Sequence, residues 1–144
     1  HIRKGKRQCL VRNMVMFYMH HLKIQNSRFS LTVVSQINLQ KDTGGWGRTT
    51  HTDTDIVMCI DARLNMQTLM TTLAHEMVHV KQIATGLLKL DMIRNKPVTI
   101  WKGKVHKEVD YLDQPWEILA FSKQEIMTQR LYNFMIKIAF DFTK

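Results

Sequence analysis

Leu69, Met70, Leu73, Met77, Val80 and Ala84 recur at three- and four-residue intervals, and this single stripe constrains the chain more than any other feature. It predicts a helix that starts at Asn65, a residue type suited to an N-cap, and stops at Gly86. Inside that helix lies LAHEMVHVKQ, residues 73–82, so an HExxH pattern falls on an element argued from other residues. His75 and His79 are one helical turn apart on one face and can converge on a single ion. Glu76 is one step around the helix, near enough to hold a metal-bound water as general base without occupying the metal. The competing reading makes His75, Glu76 and His79 the wet side of an amphipathic helix, where most helical charges lie.

The rest of the chain gives weaker periodicities. Leu10, Val11, Met14, Phe17, Tyr18 and Leu22 predict an amphipathic helix over residues 8–23, expected to pack against a sheet. Phe29, Leu31, Val33, Ile37 and Leu39 all fall on odd positions, which is strand spacing. Gly44, Gly45 and Gly47 mark a turn around Trp46, which is either a substrate-side loop or, more simply, turn packing. Residues 56–61 suit a short strand. Pro97 ends the next segment; residues 98–101 and 104–106 then pair as a hairpin about Lys102 and Gly103. A last helix is expected from Pro115 onward through Trp116, Leu119, Ala120, Met127, Leu131 and Met135. The pattern is that of an α+β domain.

At 144 residues the chain suits one domain, expected over residues 8–144 behind a basic tail at 1–7. Hydrophobic residues at 44% and charged ones at 23% exclude a disordered chain. No apolar run reaches the roughly 18 residues that a membrane span needs, so no membrane contact is expected. Cys9 and Cys59 form neither a disulfide framework nor a cysteine metal site, which favours a reducing, cytoplasmic setting. The net charge of +9 is concentrated early: the first 41 residues carry eight Lys or Arg and no acid. Arg3, Lys4, Lys6 and Arg7 are therefore candidates for contact with nucleic acid or an acidic assembly partner, against the simpler reading of a solubilising tail. Five of the ten methionines, at 14, 70, 77, 127 and 135, follow helical stripes and read as core fillers. His20 and His21 are adjacent, so they cannot pair as ligands on a helix and read as boundary residues.

A catalytic zinc site takes three protein ligands and an open position. After His79 the chain lacks the HExxHxxGxxH extension, so the third ligand must come from further on, among His106, Asp110, Asp113, Glu117 and Glu125. Glu117 is favoured because the first turn of the last helix can aim its carboxylate at the HExxH helix; His106 is next. The alternative role for Glu117 is a carboxylate complementing the helix dipole, worth about 0.3–1 kcal/mol. Tyr111 and His106 are candidate hydrogen-bond donors to a tetrahedral intermediate.

LAHEMVHVKQ, the WKGK of residues 101–104 and YLDQPWEILA of residues 111–120 together resemble a group of small phage and virus metallopeptidases, broadly related to gluzincins and SprT-like domains. The resemblance implies a minimal zincin domain, with a small twisted sheet packed on the HExxH helix between N- and C-terminal helices. It implies Zn2+ held by His75, His79 and Glu117, with Glu76 as base, and a peptide or protein substrate. It also implies a place in a host cytoplasm or a virion. The sequence departs from the pattern at Leu119, where a second acid is common, and at Phe121, where thermolysin-like gluzincins carry an Asp that orients a histidine ligand. Another acceptor must then fix the imidazoles. Zinc-dependent peptide hydrolysis is the activity expected. The alternative is a nucleic-acid-associated or virion structural protein whose zinc site is secondary or non-catalytic.

Overall fold

A computed structural model describes residues 4–143. The HExxH helix, α3 (Met66–Ala84), forms where its stripe predicts. The Asn65 side chain accepts a hydrogen bond from the Thr68 N–H at 2.9 Å, satisfying one donor of the first turn. Gly86, at φ 78°, adopts the left-handed conformation that glycine takes without a Cβ penalty just after the helix. Every residue from 73 to 80 is buried, so α3 is the central rod of the domain, enclosed on all sides.

Two long helices cover one side of it. α1 (Lys4–His21) lies on α3 and on α4 (Pro115–Thr143), and its Met14, Val15 and Tyr18 share one apolar cluster with Ile56, Met58 and Ile60. The reason is visible in two contacts: buried Tyr18 donates its hydroxyl to the Met70 carbonyl of α3 at 2.9 Å, and Phe17 stacks on Phe134 of α4 with centroids 4.9 Å apart. α1 also starts earlier than its apolar stripe, so Lys4, Lys6 and Arg7 belong to a helix and the expected tail at 1–7 does not persist past residue 3. Arg7 secures those turns by donating to the Leu64 carbonyl at 3.1 Å. The methionines at 14, 70, 77 and 127 are buried, as core fillers should be.

The strands form two three-stranded sheets in place of the one expected. In the first, β3 (Asp55–Asp61) is central, paired parallel to β1 (Ser30–Gln36) and antiparallel to β2 (Gly47–Thr52). Ile56, Met58 and Ile60 of β3 alternate into the core. β1 is shorter than the odd-position pattern implied, because Asn38 turns the chain at φ 64°. Ile37 is thereby left exposed, while Leu39 is buried at the start of the short helix α2 (Leu39–Thr43). Asp61 fastens that helix: its carboxylate accepts the N–H groups of Gln40 at 2.9 Å and Arg63 at 2.8 Å. Those backbone donors hold its pKa below the usual carboxylate range. The glycine loop that follows α2 is anchored to the end of β3 in this way.

The second sheet is an antiparallel meander of β4 (Leu88–Ile93), β5 (Lys96–Trp101) and β6 (Lys104–His106). The hairpin about Lys102 and Gly103 is as expected, both residues having positive φ. Pro97 does not end a segment but lies inside β5, at a point that β6 is too short to reach. The Leu90 N–H donates to His51 Nε2 at 2.9 Å and joins the second sheet to β2. The whole is an α+β domain about one continuous apolar cluster, and no helix among the described residues is long and apolar enough to cross a membrane.

Candidate metal centre

α3 presents His75 and His79 toward α4 and Glu76 toward β2, and the first turn of α4 returns Glu117 to meet the two imidazoles. His75 Nε2 lies 2.8 Å from Glu117 Oε2, and His79 Nε2 lies 3.0 Å from Glu117 Oε1. One donor atom from each of the three residues falls within 4.8 Å of the others. Donors held about 2 Å from a tetrahedral ion stand about 3.3 Å apart, so these separations bracket what such an ion requires. Two imidazoles and one carboxylate are also a zinc-type donor set. The wet-side alternative fails here, because His75, Glu76 and His79 are each 8% exposed or less.

Buried polar groups need partners, and each imidazole has one on its far nitrogen. His79 Nδ1 is 2.8 Å from Gln82 Oε1, and the Gln82 amide donates to the Trp116 carbonyl at 3.0 Å. His75 Nδ1 is 2.8 Å from Gln124 Oε1. An amide oxygen can only accept, so both rings donate from Nδ1, which leaves Nε2 facing Glu117, where it donates to the carboxylate when protonated and offers a lone pair to an ion when not. The two glutamines are the orienting acceptors that sequence reasoning missed. Phe121, where an orienting acid was looked for, packs edge-on against His75 with ring centroids 4.6 Å apart, and Gln124 supplies the hydrogen bond one turn later. The signal for Gln82 was a polar residue on the continuation of the His79 face, one turn further along a helix that is otherwise apolar there.

The charges reinforce one another. Burial alone would depress the His79 pKa, but its hydrogen bond to Glu117 and the nearby Glu76 carboxylate outweigh that and hold it above the ordinary value. Burial would raise Glu117, yet the hydrogen bonds to His75 and His79 bring it down to about 2. Glu76 moves the other way: burial lifts its pKa, against the opposing pull of His79 and of the hydrogen bond it accepts from Thr49 Oγ1 at 2.5 Å.

Gly47, at the start of β2, passes so close to α3 that a Cβ there would stand 2.8 Å from Glu76 Cγ and 2.8 Å from Thr72 Cγ2. Any larger residue at that point must push one of those two side chains aside. The cleft over the site has two lobes of about 500 and 450 Å³. His75 lines the first, His79 and Glu117 line the second, and Glu76 lines both, so it stands at the waist.

Tyr111 also lines both lobes; burial and the neighbouring Glu117 carboxylate push its pKa up, so the hydroxyl stays protonated. His106 is not brought into the cleft and instead lies edge-on to Trp116 at 5.5 Å. Asp110, Asp113 and Glu125 are exposed and stand outside the donor cluster. Trp46 is 45% exposed on the cleft wall, so turn packing is not its role. Among the basic residues of the N-terminal segment, Lys6 is exposed, Arg7 is tied to Leu64, and Arg3 and the Lys4 side chain lie outside the described parts. No protein-family model, curated protein or solved structure matches the chain.

Proposed function

We propose that this domain is a metal-dependent peptidase, with His75, His79 and Glu117 holding a zinc-type divalent ion and Glu76 acting as general base. The observation that carries the reading is the convergence of two buried imidazoles and one partly buried carboxylate from two helices, beside a second carboxylate, that of Glu76, at the waist of an open cleft. When bound, such an ion polarises a carbonyl and makes a water acidic enough to lose a proton near neutral pH.

Glu76 takes the proton of the attacking water and delivers it to the leaving amine. Burial raises its pKa, which favours taking up a proton, and Thr49 holds the carboxylate in one orientation. We assign Tyr111 as hydrogen-bond donor to the developing oxyanion, on the strength of its protonated hydroxyl beside Glu117.

The edge strand supports a peptide as substrate. The Asp61 N–H donates to the Trp46 carbonyl, which fixes the parity of β2: Arg48, Thr50 and Thr52 turn their backbone groups toward β3. Gly47 and Thr49 turn theirs away, along the wall of the cleft, where an extended chain can pair with them.

In Glu76→Gln, hydrolysis of a mixed peptide substrate is expected to fall about 10²- to 10⁴-fold while one metal ion per chain is retained by elemental analysis. A protein purified without chelator that holds no metal, or a Glu76→Gln variant as active as the parent, would remove the proposal.

A further inference from the structure

The two lobes of the cleft differ in chemistry. The lobe beside His75 is bordered by three large rings from separate parts of the chain: Trp46 from the glycine loop, Tyr111 from the turn before α4, and Phe121 from α4. They are 45%, 52% and 44% exposed, so each leaves much of a ring to water. Single exposed apolar residues are ordinary on a protein surface, but three aromatic rings around one hollow are a patch with a shape. Tyr111 and Phe121 meet edge to face at 6.1 Å and 89°, and Phe121 in turn abuts His75, so the ring wall is braced against a metal-ligand residue.

The remainder of that wall is neutral. Thr68, Thr71 and Gln67 of α3 contribute hydroxyls and an amide, and the only Asp, Glu, Lys, Arg or His lining the lobe are His75 and Glu76. An acidic side chain entering there would lose water and meet only the Glu76 carboxylate, and a basic one would find that single carboxylate among rings and neutral groups. The lobe beside His79 instead carries Arg48 on its wall, together with Leu88 and Leu90.

We propose that the Trp46–Tyr111–Phe121 lobe is a subsite for one large aromatic or aliphatic side chain of a peptide, belonging to a residue next to the bond that is cut. This rests on the peptidase reading for the phrase "bond that is cut"; the side-chain selectivity itself rests only on the lobe. Adjacency to the cut follows from Phe121 touching His75 and from Glu76 lining the same lobe. Its volume of about 500 Å³ gives room for a ring, and bare backbone at Gly44, Gly45 and Gly47 opens one side to an approaching chain.

The test uses binding without turnover. Short alanine-based peptides carrying Phe, Leu, Ala, Lys or Asp at one scanned position are titrated calorimetrically into zinc-loaded Glu76→Gln protein, and in parallel into metal-free wild-type protein. At one position Phe and Leu are expected to bind at least about tenfold more tightly than Ala, Lys or Asp, as burial of a large apolar side chain requires. Trp46→Ala and Phe121→Leu, each verified as folded by circular dichroism, are expected to cut that ratio to about twofold. Equal binding of Phe and Ala at every position, no binding of any peptide at millimolar concentration, or a ratio unchanged in both variants would overturn the proposal. A wild-type protein that holds no metal and cleaves nothing would sink the peptidase reading alone, because the metal-free titration still reports the Phe-to-Ala ratio.

Discussion

The two walls of the cleft are built by different means. On one, α3 delivers His75 and His79 from its interior and α4 delivers Glu117 from its first turn, with the rings held from behind by Gln82 and Gln124. On the other, a loop of glycines and the edge strand β2 present bare backbone and the exposed ring of Trp46. The helical wall has little freedom, since donors that must meet one ion need fixed positions. The strand wall has open hydrogen-bonding edges and little buried surface, which suits a variable ligand such as a peptide. Rigidity lies where an ion is to be held and adaptability where a chain is to be read.

The sharpest way to break that contrast is to remove a donor from the helical wall. Glu117→Ala should lower zinc affinity by more than the roughly 100-fold that loss of a supporting hydrogen bond costs, measured by chelator competition. A variant that keeps wild-type affinity would mean that Glu117 is a dipole partner and not a ligand.

Gln82→Leu should cost about 10- to 100-fold in zinc affinity, because His79 loses its acceptor and the Trp116 carbonyl loses its donor. If only thermal stability moves and affinity does not, the glutamine packs the core and orients nothing.

Proton competition sharpens the picture further. The His79 pKa is raised in the metal-free fold, so a proton occupies the site below that value and metal must displace it. Zinc affinity should therefore rise by up to about tenfold per pH unit above pH 6 and level off once His79 is neutral, read by calorimetry in buffers of different ionisation enthalpy. The stability of the metal-free protein runs oppositely on that side: the His79 contribution is full below about pH 6.5 and is lost as pH rises through the folded value. Glu117, depressed to about 2, contributes above about pH 4.5 and loses its contribution as pH falls toward 2. Stability that rises steadily from pH 6 to 9 without metal would contradict this charge arrangement.

The smallest effect belongs to the strand wall. Gly47→Ala places a methyl against Glu76 Cγ and Thr72 Cγ2, and both can yield by a small shift. Peptide turnover should drop severalfold, up to about tenfold, through misplacement of Glu76, with zinc affinity unchanged. A matching loss of metal would show that the two walls are coupled more tightly than their construction implies.

Legibility in the sequence followed the same division. α3 was readable from Asn65 to Gly86 because a buried helix repeats its demand for apolar residues every turn, and HExxH rode on that repeat. α4 was readable from Pro115 for the same reason, which made Glu117 a sensible choice for the third donor. β2 was not readable: GRTTHT contains no apolar residue, because its faces meet the cleft and solvent more than the core. β4 does alternate, as Leu88, Leu90 and Met92 with Lys89 and Asp91 between them, a pattern passed over in the sequence, though only Leu88 of it is buried. The extent of β1 was misread because Ile37 and Leu39 keep strand parity in the sequence, whereas the turn at Asn38 sends their side chains to opposite environments.

Local order was therefore determined by the sequence alone: the two helices that carry the donors, the start of each and the stop of α3, the spacing of His75, Glu76 and His79, and the hairpin at Lys102 and Gly103. Only the tertiary structure decided which distant groups meet. Gln82 and Gln124 reach the imidazoles of His75 and His79, α1 lies along α3 and α4, His106 turns to Trp116, and Trp46 opens onto the cleft. Periodicity records how a segment faces its surroundings, because burial acts on every turn or every second residue. It carries no record of which partner lies across the gap, since that is set by the packing of elements far apart in the chain.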